Sequence, residues 1–395
     1  MTASIAAATI VAKRHIPLAR VTARSFRQHH PDIPFYVLLA DELDDHFDPQ
    51  KEPFKLIELE ALGKSRLLPW ALRYDQLPFS YALTPVLLQY LLGQFQQVIF
   101  IKQESLVLGR LESMLTGLNN ASMVLTPHLL EPLLGENGLE RELEILQAGS
   151  INGGIIGMRD TSITRAFLAW WEARVERHCI HDVATGVHYE QRWLDLASTL
   201  FGDTLLLRDP GCNVGHWHLP ERNIRIHDGQ VMANGSPCSL FRFSGYDCSQ
   251  PDRATRYFTR LHISQMGDAG TVFQQYHQLL VEAGEPACRE WPYAWDYFDN
   301  GWRIPEAARE MFRAEEATIA TSLNPFSAKD GLLGWLQQPL APGLTRFWHH
   351  LYQKRPDVMA AYPEPFDRDR EALIGWIRNT GWQEFALTPE WIPRT

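Results

Sequence analysis

A layered α/β fold with a mainly helical C-terminal module is what this sequence predicts, on three observations. Short β-branched or aromatic runs alternate with helical periodicity over residues 5–110. One of those runs, Val98, Ile99, Phe100 and Ile101, passes straight into the polar tetrad Lys102, Gln103, Glu104 and Ser105, as buried parallel strands do where they meet a ligand crevice. From about Asp252 onward strand-like runs nearly vanish while Trp, Arg and Glu fill helical patterns, which puts a domain boundary near residue 250. The expected division is therefore 1–250 and 251–395.

Element by element, Ile5–Val11 reads as the opening strand and Leu18–His30 as a helix stopped by Pro31 and Pro34. Phe35–Leu39 reads as a second strand, Asp41–Asp48 as an acidic loop and Lys55–Leu59 as a third strand. Helices are expected over Pro69–Leu77 and Thr84–Gln94, then the strand ending at Ile101. Met123–Pro127 and Ser150–Arg159 read as strands, the second interrupted by Asn152, Gly153 and Gly154. Helical periodicity returns at Ile163–His178 and Arg192–Leu200, and strands at Leu205–Leu207 and Pro237–Ser244. Between those strands, Asp209 to Asn213 is a turn-rich loop.

Composition narrows the function classes. Hydrophobic residues make up 45% and charged residues 21% of 395, so the chain has enough apolar surface to fold and disorder is excluded. With 37 Lys and Arg against 47 Asp and Glu the net charge is −10, which argues against nucleic acid as a partner and requires any anionic ligand to be held by a local cationic site. Five cysteines without a C-x-x-C pair do not form a disulfide framework, so a reducing, cytoplasmic location is expected. The Ile5–Val11 run has Lys13 and Arg14 after it rather than before it, so it is read as a strand and not a signal. No apolar run reaches the roughly 18 residues of a membrane span, while peripheral membrane contact stays open.

Several motifs fail on inspection. Gly63, Lys64 and Ser65 imitate the end of a phosphate-binding loop, but the upstream glycine it needs is Glu58. Asn152 stands where a dinucleotide fingerprint through Gly154 and Gly157 would need its first glycine. His178 with His181, and His216 with His218, lack the thiol or carboxylate companions of a zinc site.

The collinear order of other pieces resembles the bacterial GT-A glycosyltransferases, related to the glycogenin-like family 8 enzymes. Ala12, Lys13, Arg14 and His15 look like that family's nucleotide-contacting first loop, and Arg73, Tyr74 and Asp75 like the helix before its acidic motif. Val98–Leu108 looks like the strand that normally ends in D-x-D. Gln147, Ala148, Gly149, Asn152, Gly153 and Gly154 look like its sugar-pocket segment, and Glu190 with Gln191 like its D-Q pair. Asn213 and Trp217 look like the loop before its last strands, and Phe243, Ser244 and Gly245 like its H-F-S-G strand. More loosely, the tail resembles helical segments attached to such enzymes, at Phe298 to Gly301 and Arg355 to Asp357 with Trp376 and Glu384.

The resemblance implies a Rossmann-like, mostly parallel mixed sheet flanked by helices, a nucleotide diphosphate sugar as donor, and a saccharide or other surface-polymer precursor as acceptor. It also implies nucleotide or sugar contacts at Ala12, Lys13, Arg73, Tyr74, Asp75, Glu104, Asn152, Gly153, Asn213, Ser244 and Gly245. The departures are as telling. The D-x-D positions read Lys102 and Glu104, and the third usual metal ligand aligns with Arg242. A divalent cation between a lysine and an arginine is electrostatically unfavourable, so no metal is expected and Lys102 and Arg242 become candidates to clamp the diphosphate directly. The alternative is a catalytically silent homologue that serves as a binding or regulatory subunit.

Each candidate has a plainer reading beside it. Lys102 can be a solvated loop lysine, and Arg242, set between Phe241 and Phe243, a structural ion-pair partner. Glu104 can contact sugar or ribose hydroxyls or simply begin a helix. Glu190 is the candidate general base of an inverting reaction, whereas in a retaining one Glu190 or Gln191 would stabilise the oxocarbenium-like centre. Asn152 to Gly154 either admit the donor sugar close to the backbone or form a β-bulge. The aromatic cluster Trp291, Tyr293, Trp295, Tyr297 and Trp302 is read as core before acceptor platform. Base, sugar, acceptor, stereochemistry and oligomeric state are not legible in the residues.

Overall fold

A computed structural model of the chain describes residues 4–135, 137–219, 221–258, 261–316, 319 and 324–393. Two compact units result: Met1–Leu62 with Gln76–Tyr293, and Gly63–Asp75 with Ala294–Thr395.

The first unit is built on a seven-stranded sheet. Its strands are β1 (Ile5–Val11), β2 (Phe35–Leu39), β3 (Lys55–Ile57), β4 (Gln97–Ile101), β6 (Met123–Pro127), β7 (Ile151–Arg159) and β8 (Thr204–Leu206), with the short β5 (Ser105–Val107) standing outside it. They lie in the order β8-β6-β7-β4-β1-β2-β3. All neighbours are parallel except that β7 runs antiparallel to both β4 and β6. The α/β class and the mostly parallel mixed sheet expected from the sequence are therefore present. Continuous apolar runs such as Ala6–Val11 and Val98–Ile101 are buried on both faces, covered by helices including α1 (Ile16–His29).

This topology gathers chemistry at one edge. Because β1, β2, β4 and β6 are parallel, the residues that follow them emerge together: Ala12 to Arg14, Asp41, Lys102 to Glu104 and His128. The antiparallel β7 contributes its beginning, Ile151 to Gly154, to the same edge. There the register against β6 jumps from Leu125 opposite Ile156 to Thr126 opposite Asn152, so Gly153 to Ile155 bulge away from β6. Outside the main sheet, β5 pairs antiparallel with β9 (Leu240–Arg242), setting Arg242 opposite Ser105.

The boundary expected near residue 250 falls inside the first unit. The helix Asp268–Glu282 packs Phe273 and Tyr276 onto Phe243, with Tyr276 stacked at 3.7 Å between centroids, and so joins the core of β9. Compactness divides the chain between Tyr293 and Ala294 instead.

The second unit is mainly helical, with Glu306–Glu315, Arg346–Gln353, Pro356–Ala361 and Arg370–Trp376 around Phe347, Trp348 and Trp391. It also takes in the helix Lys64–Arg73, which starts well before the expected Pro69. Pro69 lies inside that helix, past its first turn, where it cannot donate to the Ser65 carbonyl and so does not mark the helix start. Arg309 Nη1 donates to the carbonyls of Ala71, Leu72 and Tyr74, and Nη2 to that of Trp295, all within this unit.

Candidate functional site

The paired edges enclose a cavity of about 610 Å³ in the first unit, with Lys102, Asn152, Glu190, Gln191, Trp217 and Ser244 in its wall. Of the residues singled out in the sequence, the structure brings these into one place. Gly153, Asn213 and Gly245 hydrogen-bond to wall residues and Glu104 pairs with Arg242, whereas Ala12 and Lys13 do not line the cavity.

Two buried ion pairs form the floor. Lys102 Nζ lies 2.5 Å from Glu190 Oε1, and the two residues are 7% and 1% exposed. Arg242 Nη2 lies 3.4 Å from Glu104 Oε2. Period-2 geometry sets this arrangement: Phe241 and Phe243 enter the core with Phe273, and Arg242 takes the other face. Arg242 Nε and Nη1 are buried without a hydrogen-bond partner among the described residues, as is Glu190 Oε2. Burial lowers the Arg242 pKa, opposed by the charge of Glu104. Beneath Lys102 lies the Tyr81 ring, its centroid 3.9 Å from Nζ. Burial first, then Glu104 and other anionic neighbours, push the Tyr81 phenol well above its usual range, so it stays protonated.

The bulge in β7 organises the rest. Gly154 N–H donates to Asn152 Oδ1 at 2.7 Å, Asn213 Nδ2 donates to the same oxygen at 3.0 Å, and Asn152 Nδ2 contacts His128 Nε2 at 2.9 Å. Gly153 N–H donates to Gln191 Oε1, while Gln191 Nε2 donates to the Ala148 carbonyl. Trp171 Nε1–H fixes the Glu190 carbonyl at 3.0 Å. A Cβ on Gly154 would sit 2.5 Å from Arg242 Nη1, Asn152 Oδ1 and Asn213 Oδ1 alike, which is why this position is glycine. Of the two readings of Asn152 to Gly154, the structure has the β-bulge, and what crowds Gly154 is protein side chains.

Lys13 is buried and occupied: its N–H donates to Asp41, and its ammonium pairs with Asp44 and faces Asp41 at 3.9 Å. Arg73, Tyr74 and Asp75 belong to the second unit and do not line the cavity. There Arg73 pairs with Glu316, Tyr74 is buried, and Asp75 lies 3.6 Å from Arg309. The anticipated aromatic cluster is partly core, with Tyr293 and Trp295 1% and 4% exposed.

Sequence reading missed Tyr81, His128, His188, Tyr189, His216, Arg256 and Tyr257 in the wall. His128 carries the signal that singled out Lys102, since it follows its strand directly. Arg256 and Tyr257 lie beyond the expected boundary, so nothing drew them to the site. Burial holds the His128 imidazole neutral, lowered from 6.5 to about 3, and His188 to about 4.

A divalent cation does not fit this floor. Mg²⁺ and Mn²⁺ need oxygen ligands free of competing positive charge, and here each carboxylate already faces a cation. Among the described residues no group of three His, Cys, Asp or Glu side chains is placed to hold a metal, and no helix is long and apolar enough to cross a membrane. Among the described residues no two cysteines form a disulfide.

No family model matches the chain. The uncharacterized protein YfnF of Bacillus subtilis (strain 168) is 26% identical over 246 residues, which is 60% of this chain and 80% of YfnF. Among solved structures, the galactosyltransferase LgtC, in complex with donor and acceptor sugar analogs, is 13% identical with a TM-score of 0.39 over 70% of this chain and 95% of LgtC. The glycosyltransferase GlyE of Streptococcus pneumoniae TIGR4 is 12% identical with a TM-score of 0.42, over 78% and 73%.

Proposed function

We propose that this protein is a GT-A glycosyltransferase that moves a sugar from a nucleoside diphosphate sugar onto a saccharide or other surface-polymer acceptor without a divalent cation. The observation that carries the reading is the buried Lys102–Glu190 pair in the cavity wall, at the edge where the parallel strands β1 and β4 end. Glycosyl transfer breaks the bond between the anomeric carbon and a diphosphate oxygen and makes one to an acceptor oxygen. Negative charge then builds on the departing diphosphate, and a lysine ammonium supplies the counter-charge that a metal supplies elsewhere.

Glu190 is the carboxylate beside that centre. In an inverting reaction it takes the acceptor hydroxyl's proton; in a retaining one it faces the oxocarbenium-like carbon with Gln191, and the departing diphosphate accepts the proton. Tyr81 holds the Lys102 ammonium over its ring, and Arg242 holds Glu104 while keeping two N–H groups unspent. Asn152, Gly153 and Asn213 shape the backbone near the sugar, and the rings of Tyr189, Trp217 and Tyr257 offer apolar faces for pyranose stacking.

Calorimetric titration with a panel of nucleoside diphosphates and nucleotide sugars, each in Mg²⁺, Mn²⁺ and EDTA, tests the reading. One nucleotide is expected to bind with the same affinity in all three. Binding lost in EDTA would place a metal in the reaction, and binding of nothing in the panel would favour a silent homologue.

A further inference from the structure

Counting charges around the cavity shows where an incoming anion meets unspent positive charge. Lys102 is matched by Glu190, Arg242 by Glu104, and Lys13 by Asp44 and Asp41. Arg256 is different. It lines the same cavity, is exposed, and makes no ion pair among the described residues. Its guanidinium lies 5.4 Å from the centroid of the Tyr257 ring. The backbone there is tied to the segment after β9: Arg256 N–H donates to the Gly245 carbonyl at 2.8 Å, and Gly245 has φ 73°. A Cβ on Gly245 would come within 2.6 Å of Thr255 Oγ1 and the Tyr257 ring.

A second unspent cation stands at the end of β1. Arg14 makes no ion pair among the described residues, and its Nε is buried without a hydrogen-bond partner. Arg14 and Arg256 both act on His15, whose ring is lowered to about 4, by burial first and then by these two charges. The imidazole near both charges is therefore neutral and adds no charge of its own.

We propose that Arg256, supported by Arg14, is the recognition site for the donor's diphosphate, and that Lys102 acts at the breaking bond rather than as the main anchor. The identity of the anion rests on the transferase reading; the cationic site does not. Arg256 has no carboxylate to give up before the ligand arrives; the lowering of its pKa by burial is more than offset by Tyr257 and other neighbours, so it stays charged, and its planar fork matches two phosphate oxygens at once. Lys102 and Arg242 must first give up a carboxylate, so they contribute less to binding in the ground state.

The test compares wild type, Arg256→Gln and Arg256→Lys by calorimetry in EDTA over a range of NaCl. The probes are UDP, GDP, ADP, their parent nucleosides and inorganic pyrophosphate, and circular dichroism checks each fold. Wild type should bind one diphosphate with an affinity that falls with salt. Arg256→Gln should weaken it roughly tenfold to a hundredfold and flatten the salt dependence. Arg256→Lys should recover part of the loss, and binding of the parent nucleoside should not change. Diphosphate binding by Arg256→Gln at wild-type strength would overturn this inference while leaving the transferase reading intact. Pyrophosphate binding that depends on Arg256, with no nucleotide bound, would keep the cationic site and remove the transferase. A wild type that binds neither would overturn both.

Discussion

Arg242 in the first unit and Arg309 in the second are each 2% exposed, and they are buried in opposite ways. Arg309 spends its guanidinium on four backbone carbonyls and lies 3.6 Å from Asp75 and 3.7 Å from Asp296. Arg242 spends one nitrogen on Glu104 at 3.4 Å and leaves Nε and Nη1 without partners. A buried cation fully satisfied by the chain holds the fold together; one left short of partners is held for something else. Arg309 is satisfied by the carbonyls around it, whereas the cavity floor keeps Arg242 Nη1, Glu190 Oε2 and Asn213 Oδ1 without hydrogen-bond partners among the described residues.

The strongest way to break this contrast is Arg309→Met. It orphans four carbonyls, and a loss of about 4 kcal/mol in urea denaturation is expected. A loss under about 1 kcal/mol would mean that those bonds are not structural.

Next is the Lys102 and Glu190 pair. Either Lys102→Met or Glu190→Gln alone should cost about 3 kcal/mol, because a buried charge is left unmatched, and the double variant should recover most of that. Glu190→Gln should also lower transfer by about 100-fold or more, which the recovered stability of the double variant would not restore. Additive stability losses would show that the two groups do not interact.

Arg242→Gln sharpens the comparison from the other side. Stability should change by about 1 kcal/mol or less, since a single long contact is lost, while transfer falls roughly tenfold. Unfolding as severe as that of Arg309→Met would make Arg242 a structural residue.

A last contrast is in pH. His128 titrates at about 3 in the folded chain and near 6.5 when unfolded, so the unfolded state binds the extra proton between those values. Stability is then complete above about pH 6.5 and lost as pH falls, by about 1.4 kcal/mol per pH unit for this one group. Denaturation midpoints of wild type and His128→Gln between pH 6 and 4 check it: the variant should show the shallower slope.

How much of this was legible in the sequence follows the range of the forces involved. β1 and β2 were readable to the residue, because apolar runs bounded by Pro, Lys or Asp announce themselves locally. Lys102 was readable because it ends such a run, and Arg242 because alternation with Phe241 and Phe243 fixes its face. Which carboxylate each would pair with was not. Glu104 and Arg242 lie 138 positions apart, and only the β5–β9 pairing joins them. The helix Gly138–Ala148 went unread although Leu139, Leu143 and Leu146 repeat at helical spacing; the structure leaves that stripe exposed and buries Gly138. The boundary was misplaced for a related reason: Phe273 and Tyr276 read as an independent helical module until the rings of Phe241 and Phe243 are set beside them.

The central claim is that this cavity transfers a sugar with built-in cations in place of a metal. Its most direct measurement is release of a nucleoside diphosphate from a panel of nucleotide sugars by the purified chain in EDTA, with and without a mixed saccharide acceptor. The account predicts release from one donor in EDTA, raised by acceptor and lost in Glu190→Gln. Release that requires Mn²⁺, or none from any donor under any condition, would contradict it.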